Sequence, residues 1–199
     1  MIPPVLDRLL AETAHIDFGH PRIRALVPSL DTQTTDSLSY PQVAFEYVRD
    51  RIPHTTHTDR DIVTVAASQV AAEGTGICHA KANLLAALLR AKNIPAGFGY
   101  QHVTLADDNS QGYCLHAFVI AILDGRPVPL DPKSPHEFSL DSPQLDPLNL
   151  RFDEYTLPGI WADPDPATMD VLTHATSLHD ALVHLPDQPS RPASAYACP

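Results

Sequence analysis

The chain has 199 residues, enough for one ordinary domain with a real core and short for two. Apolar residues make up 44%, which predicts a packed globule and not a disordered chain. The 24 acidic residues against 13 basic ones give a formal charge of −11, which argues against a nucleic-acid or anionic-membrane partner, because both need a basic face.

No stretch approaches a membrane span, and Asp7 and Arg8 interrupt the apolar run that a signal peptide would need. A cytoplasmic location is therefore expected. Three cysteines at uneven spacing do not suggest a disulfide framework, so each needs packing, metal binding or catalysis as its explanation.

Residues 4–52 read as helical, with Ser39 as a cap, Pro41 in the first turn after it, and Val43, Ala44, Tyr47, Val48 and Ile52 at helical spacing before Pro53. Residues 54–61 are polar and read as a loop, and 62–72 as a short helix. Gly74-Thr-Gly76 breaks the chain. Cys78 to Lys92 then carries the strongest helical pattern, ended by Asn93 and Pro95.

Beyond Pro95 the texture changes to strand. Strands are expected over 97–105, 113–123 and 126–130, the last two joined by an Asp124-Gly125 hairpin turn. Helices first and antiparallel strands afterwards predict an α+β fold. The Pro-rich stretch 131–168 should wrap the surface, 169–185 should form a last helix, and 186–199 reads as a flexible tail. Residues 1–185 are thus expected to form a single domain, its core about 15–135, with Trp161 anchoring the Pro-rich wrap.

Cys78 sits where a Gly-containing loop meets a long apolar helix. Free N–H groups and the positive end of the helix dipole favour a thiolate there, and the same amides can hold an oxyanion. Gly76 is read as leaving room for a substrate backbone. The alternative is a small buried hydrophobe on a core helix.

His116 begins an otherwise apolar strand, and Asp131 closes the next one. Pairing 123 with 126 places 118 opposite 131, with 116 a diagonal neighbour on the same face. Asp131 is then positioned to orient the His116 ring. Tyr100, Gln101 and His102 are candidates to line the cleft. Lys81, one turn after Cys78, reads as a solvated helix residue.

The segment Gly74-Thr-Gly-Ile-Cys-His-Ala-Lys-Ala-Asn-Leu-Leu-Ala-Ala-Leu-Leu-Arg90 resembles bacterial transglutaminase-like proteins, as do Ile94-Pro-Ala-Gly-Phe98, Gly112-Tyr-Cys-Leu-His116 and Leu130-Asp131. The resemblance extends upstream to Ile16–Pro21 and Phe45–Ile52. It implies a papain-like fold in which the nucleophile starts a central helix packed on an antiparallel sheet. It also implies Cys78 as nucleophile, His116 as base and Asp131 as orienter, in that chain order. After Asp131 the chain departs from the family pattern, with Pro132-Lys133.

The activity so implied is cysteine-dependent acyl transfer through a thioester. The expected substrates are peptides, proteins or small amides, with water or an amine as acceptor and no cofactor. Three alternatives stay open. Cys114, on the same strand face as His116, is a rival thiol. Cys78, His79, Cys114, His116, His54 and His57 offer a Cys/His set for zinc. A non-catalytic peptide-binding module of the same fold is the third.

Overall fold

The computed structural model describes residues 4–35, 39–105, 112–133, 137–140, 150–151 and 153–194. Its organising element is the helix α5 (Cys78–Arg90), whose thirteen residues are all buried. A helix buried along its whole length has no solvent face and must be surrounded. Here α3 (Ser39–Arg51) and α4 (Ala67–Glu73) pack on one side of it, and strands β1 (Ala96–Thr104) and β2 (Tyr113–Leu123) on the other. With α1 (Pro4–Arg8) and α2 (Pro21–Asp31), these are the N-terminal helices.

The helical stretch expected over 4–52 is therefore three helices. Residues between Arg8 and Pro21 turn through a loop, and α2 begins at Pro21, where a missing N–H costs nothing. Ser39 and Pro41 both lie in the first turn of α3. The short helix expected from 62 begins only at Ala67. Ala66 is extended, and the side-chain carbonyl of Gln69 accepts from the Val65 and Ala66 amides. The helix α4 ends at Gly74, whose φ of 66° is the left-handed cap that glycine adopts without strain.

The sheet has the order β3-β2-β1-β4, all antiparallel, with β3 spanning Arg126–Leu130 and β4 Tyr155–Thr156. Burial along β2 is continuous from Leu115 to Ala121, so the sheet is covered on both faces. One cover is the main core around α5, which includes Ala117 and Val119; the other is a cluster of Leu9, Phe118, Ile120 and Ile160. The architecture is α+β, as the order of elements predicts.

The last helix expected over 169–185 is two helices, α6 (Pro166–His174) and α7 (Leu178–His184), separated where Ser177 caps the second through its hydroxyl. The expectation of a loose tail beyond Pro186 gives way for residues 186–194. The Leu115 amide donates to Pro186 O at 2.8 Å, Trp161 Nε1 donates to Arg191 O at 2.9 Å, and Ser194 bridges Ile160. Residues 195–199, including Cys198, lie outside the described residues.

Buried Asp165 explains that docking. One carboxylate oxygen caps α6 by accepting from the Thr168 amide and hydroxyl, at 2.9 and 3.0 Å. The other accepts from the Ser190 amide and hydroxyl, both at 2.6 Å. Trp161 is buried against Tyr100, edge-on at 5.0 Å between ring centroids.

Arg90 ties the far end of α5 to three segments at once. Its guanidinium donates to the carbonyls of Ala11, Ala96 and Ala162. A rigid five-donor fork suits a buried cluster of carbonyls in a way a lysine would not. Among the described residues no helix is long and apolar enough to cross a membrane.

Candidate active site

Cys78 is the first residue of α5. Ile77, which precedes it, offers no side-chain cap, and the first intrahelical bond there runs from Lys81 N to Ile77 O. The amides of Cys78, His79 and Ala80 therefore have no partner within the helix, and they point toward its positive end.

The loop before Cys78 is fixed by an interlocking set of hydrogen bonds. Thr64 Oγ1 donates to Thr75 O, and Thr75 Oγ1 donates to Pro53 O. Thr55 N donates to Gly76 O, and Gly76 N to Pro53 O, so His54 and Gly76 form a short parallel bridge. Gly76 does not leave room for a substrate. A Cβ there would meet Ala80 Cβ and Thr64 Oγ1 at 3.0 Å each, so the glycine serves close packing against the first turn of α5.

The bridge carries His54 to the sulfur. His54 Nδ1 lies 2.7 Å from Thr56 Oγ1, and the ring lines the same cleft as Cys78 and helps to lower its thiol. The sulfur lies 3.3 Å from Nδ1 of His79, which is also buried. Sequence reasoning missed both residues as neighbours of the thiol and grouped them only as zinc ligands. Among the described residues, no group of three or more His, Cys, Asp or Glu side chains is disposed to hold a metal ion.

His116 and Asp131 meet as the hairpin register requires. The Asp124-Gly125 turn has φ of 50° and 75° at its two residues, and Leu123 pairs with Arg126 and Val119 with Leu130. His116 Nε2–H donates to Asp131 Oδ2 at 3.0 Å, and both side chains are buried. The other oxygen, Oδ1, accepts from the Lys133 amide at 2.9 Å, which holds the carboxylate in place. The Pro132-Lys133 departure thus supplies a bond that orients Asp131.

The Nδ1 of His116 is buried and makes no hydrogen bond of standard geometry. The sulfur and that ring line the same cleft, and each shifts the other toward its charged form.

Burial pushes the Cys78 thiol upward, but the imidazoles of His79, His116 and His54 outweigh it and hold the thiol well below the ordinary cysteine range. Burial works to lower the pKa of His116, and Asp131 together with the Cys78 thiolate overcomes it, raising the ring to about 10. Together the two shifts favour a thiolate–imidazolium pair at neutral pH.

Cys114, by contrast, is pushed up to about 12 by burial and the nearby Cys78 thiolate. It lines the same cleft as Cys78, as the strand geometry predicts, but as a protonated thiol.

Lys81 is buried, not solvated as its position suggested. Burial lowers it to about 8 against the opposing pull of Asp131, Cys78 and Asp50. Tyr100 and Gln101 are also fully buried, and His102 stacks between Tyr113 and Tyr155. The end of β1 and the residue after it, Val103 to Leu105, line the cleft.

Residues 24–132, a little over half of the chain, match the transglutaminase-like superfamily. A candidate cysteine protease from Cytophaga hutchinsonii shares the fold with a TM-score of 0.54 at 16% identity, over 66% of this chain and 43% of that one. The periplasmic domain of TgpA from Pseudomonas aeruginosa is similar with a TM-score of 0.49 at 22% identity, over 66% of this chain and 48% of that one. The chain therefore spans less than half the length of either. No curated protein matches it. The stretch from α2 to the residue after Asp131 is the part the match covers, with the helix-start cysteine at its centre, and by that match the chain belongs to the transglutaminase-like superfamily.

Proposed function

We propose that this chain is a cysteine-dependent acyl-transfer enzyme acting on an amide or related acyl bond, with Cys78 as nucleophile, His116 as base and acid, and Asp131 as orienter. The observation that carries the reading is the buried His116–Asp131 bond in the same cleft as Cys78, whose thiol His79, His116 and His54 hold below the ordinary cysteine range. A structural cysteine in an apolar core would have its pKa raised by burial, as Cys114 does.

In the proposed cycle the Cys78 thiolate attacks the acyl carbon and a carbon–sulfur bond forms. The oxyanion lies at the start of α5, where the Cys78 amide is free to donate. The His116 imidazolium gives its proton to the leaving group as the original acyl bond breaks. The neutral ring then takes a proton from water or an amine, which attacks the thioester and releases the thiolate. Asp131 keeps the ring oriented and stabilises its charged form. His54 and His79 hold the sulfur as an anion between turnovers.

Peptides, proteins and small amides all present the required carbonyl. The test is to trap the acyl-enzyme by mass spectrometry with peptide, amide and thioester donors, and to follow partitioning as amine is added. A mass increase on Cys78 that is absent from Cys78→Ala is the expected result. An unmodified Cys78 across all donor classes would overturn the reading. Turnover that rises with amine concentration identifies a transferase, and indifference to amine a hydrolase.

A further inference from the structure

The cleft beside Cys78 has a volume of 220 Å³, and part of its wall comes from beyond residues 24–132. That wall is α7 with the turn after it, contributing Leu182, Val183, Leu185 and His179. Ile77 and Val103 complete its apolar lining from the opposite side.

The wall is anchored at both ends. The Leu178 amide donates to Asp61 Oδ1 at 2.6 Å, Pro186 O accepts from Leu115 N, and Ala181 is buried with Val65, Ile77, Met169 and Leu172. Yet Val183 is 54% exposed, more than any other large hydrophobic residue among those described. Scattered exposed valines need no explanation. This one stands on the rim of a cleft that holds a reactive thiol.

The charge pattern is equally one-sided. Among the described residues no Asp or Glu lines the cleft, although the chain as a whole carries a formal charge of −11. The lining groups able to carry positive charge are Lys133, His54, His116 and His179, against a single anion, the Cys78 thiolate, which His116 and His54 already offset. Low-dielectric walls strengthen that field inside the cleft.

We infer that this cleft is the acyl-group pocket, that it takes one uncharged aliphatic side chain of the acyl donor against Leu182 and Val183, and that it rejects cationic side chains. The inference rests on the acyl-enzyme reading above. The lining agrees: Leu182, Val183 and Leu185 face Ile77 and Val103 across a cleft that also holds Cys78, so an aliphatic side chain there would touch apolar groups on both sides. An ammonium group against Leu182 and Val183 would lose water and meet no carboxylate among the described lining residues, with the one anion there, the Cys78 thiolate, already paired.

The experiment uses N-acetylated p-nitrophenyl esters of norleucine, lysine and glutamate. On acylation the Cys78 sulfur–carbon bond forms, the ester carbon–oxygen bond breaks and p-nitrophenolate leaves, read as an absorbance burst. Norleucine and lysine have similar length and differ by the ammonium. The norleucine ester is expected to acylate the protein at least about tenfold faster than the lysine ester, with glutamate between them. Val183→Asp, at an exposed position where folding is checked by thermal melting, should shrink that ratio about tenfold. Equal burst rates for norleucine and lysine, or a ratio unmoved by Val183→Asp, overturn the pocket assignment while leaving the thioester intact. No burst above that of Cys78→Ala with any ester removes the acyl-enzyme, and the pocket assignment with it.

Discussion

His116 and Asp131 are joined by a 3.0 Å hydrogen bond across a two-residue turn, and both side chains are shut away from water. A buried carboxylate beside a buried imidazole favours the charged ring, and the nearby thiolate adds to it. The same hairpin that builds the sheet edge thereby sets the protonation of the site.

Asp131→Asn should therefore affect both rate and pH dependence. Acylation needs Cys78 deprotonated and His116 protonated, so its rate should rise with pH through the depressed thiol pKa and fall as His116 loses its proton near about 10. Removing the carboxylate lowers the ring's pKa, so the alkaline limb should move to lower pH. Acylation should drop by about 10²–10⁴-fold. An alkaline limb that stays in place would show that Asp131 does not set the ring's charge.

Cys78 and Cys114 should differ sharply toward iodoacetamide. The Cys78 thiol is held well below the ordinary cysteine range while Cys114 is raised to about 12, so at mildly acidic pH the thiolate fraction is far larger at Cys78. Mass-spectrometric mapping should find Cys78 alkylated at least about a hundredfold faster than Cys114. His54→Ala, which removes one partner of the sulfur, should slow that labelling, and comparable labelling of both thiols would contradict the assignment.

Arg90→Leu tests the far end of α5. It leaves the buried carbonyls of Ala96 and Ala162 and the Ala11 carbonyl without their donor. The expected loss is about 3 kcal/mol or more, a fall in Tm of roughly 6–12 °C for a chain of this size. Because Arg90 lies at the opposite end of the helix from Cys78, selective alkylation of Cys78 should survive below the transition.

Asp165→Ala tests the anchoring of the C-terminal segment. It removes the cap of α6 and both bonds to Ser190, at an expected cost of about 2–4 kcal/mol. Amide exchange measured by mass spectrometry should quicken over 166–194 before it does in α5. Uniform exchange along the chain would show that the segment does not open separately.

The amino-acid sequence by itself determined the hairpin and the helix start. Asp124-Gly125 adopts positive φ at both residues, so it dictates a two-residue turn and with it the pairing of Leu123 with Arg126. Period-2 alternation then carries that register to His116 and Asp131. A run dominated by alanine and leucine after Gly74-Thr-Gly76 likewise places Cys78 at the start of a buried helix. Both are local rules, acting over a few residues of chain.

Only the tertiary structure decided what else surrounds the sulfur. His54 arrives through a bridge to Gly76, and α7 reaches the cleft through a cluster that includes Val65 and Ile77. Lys81 has the pattern of a solvated residue and is buried because helices and sheet enclose α5 on all sides. Such contacts depend on which faces meet over long separations, and periodicity along the chain does not encode that choice. Hence the sequence made Cys78, His116 and Asp131 legible as candidates, while the histidines beside the thiol and the apolar wall facing it came from packing.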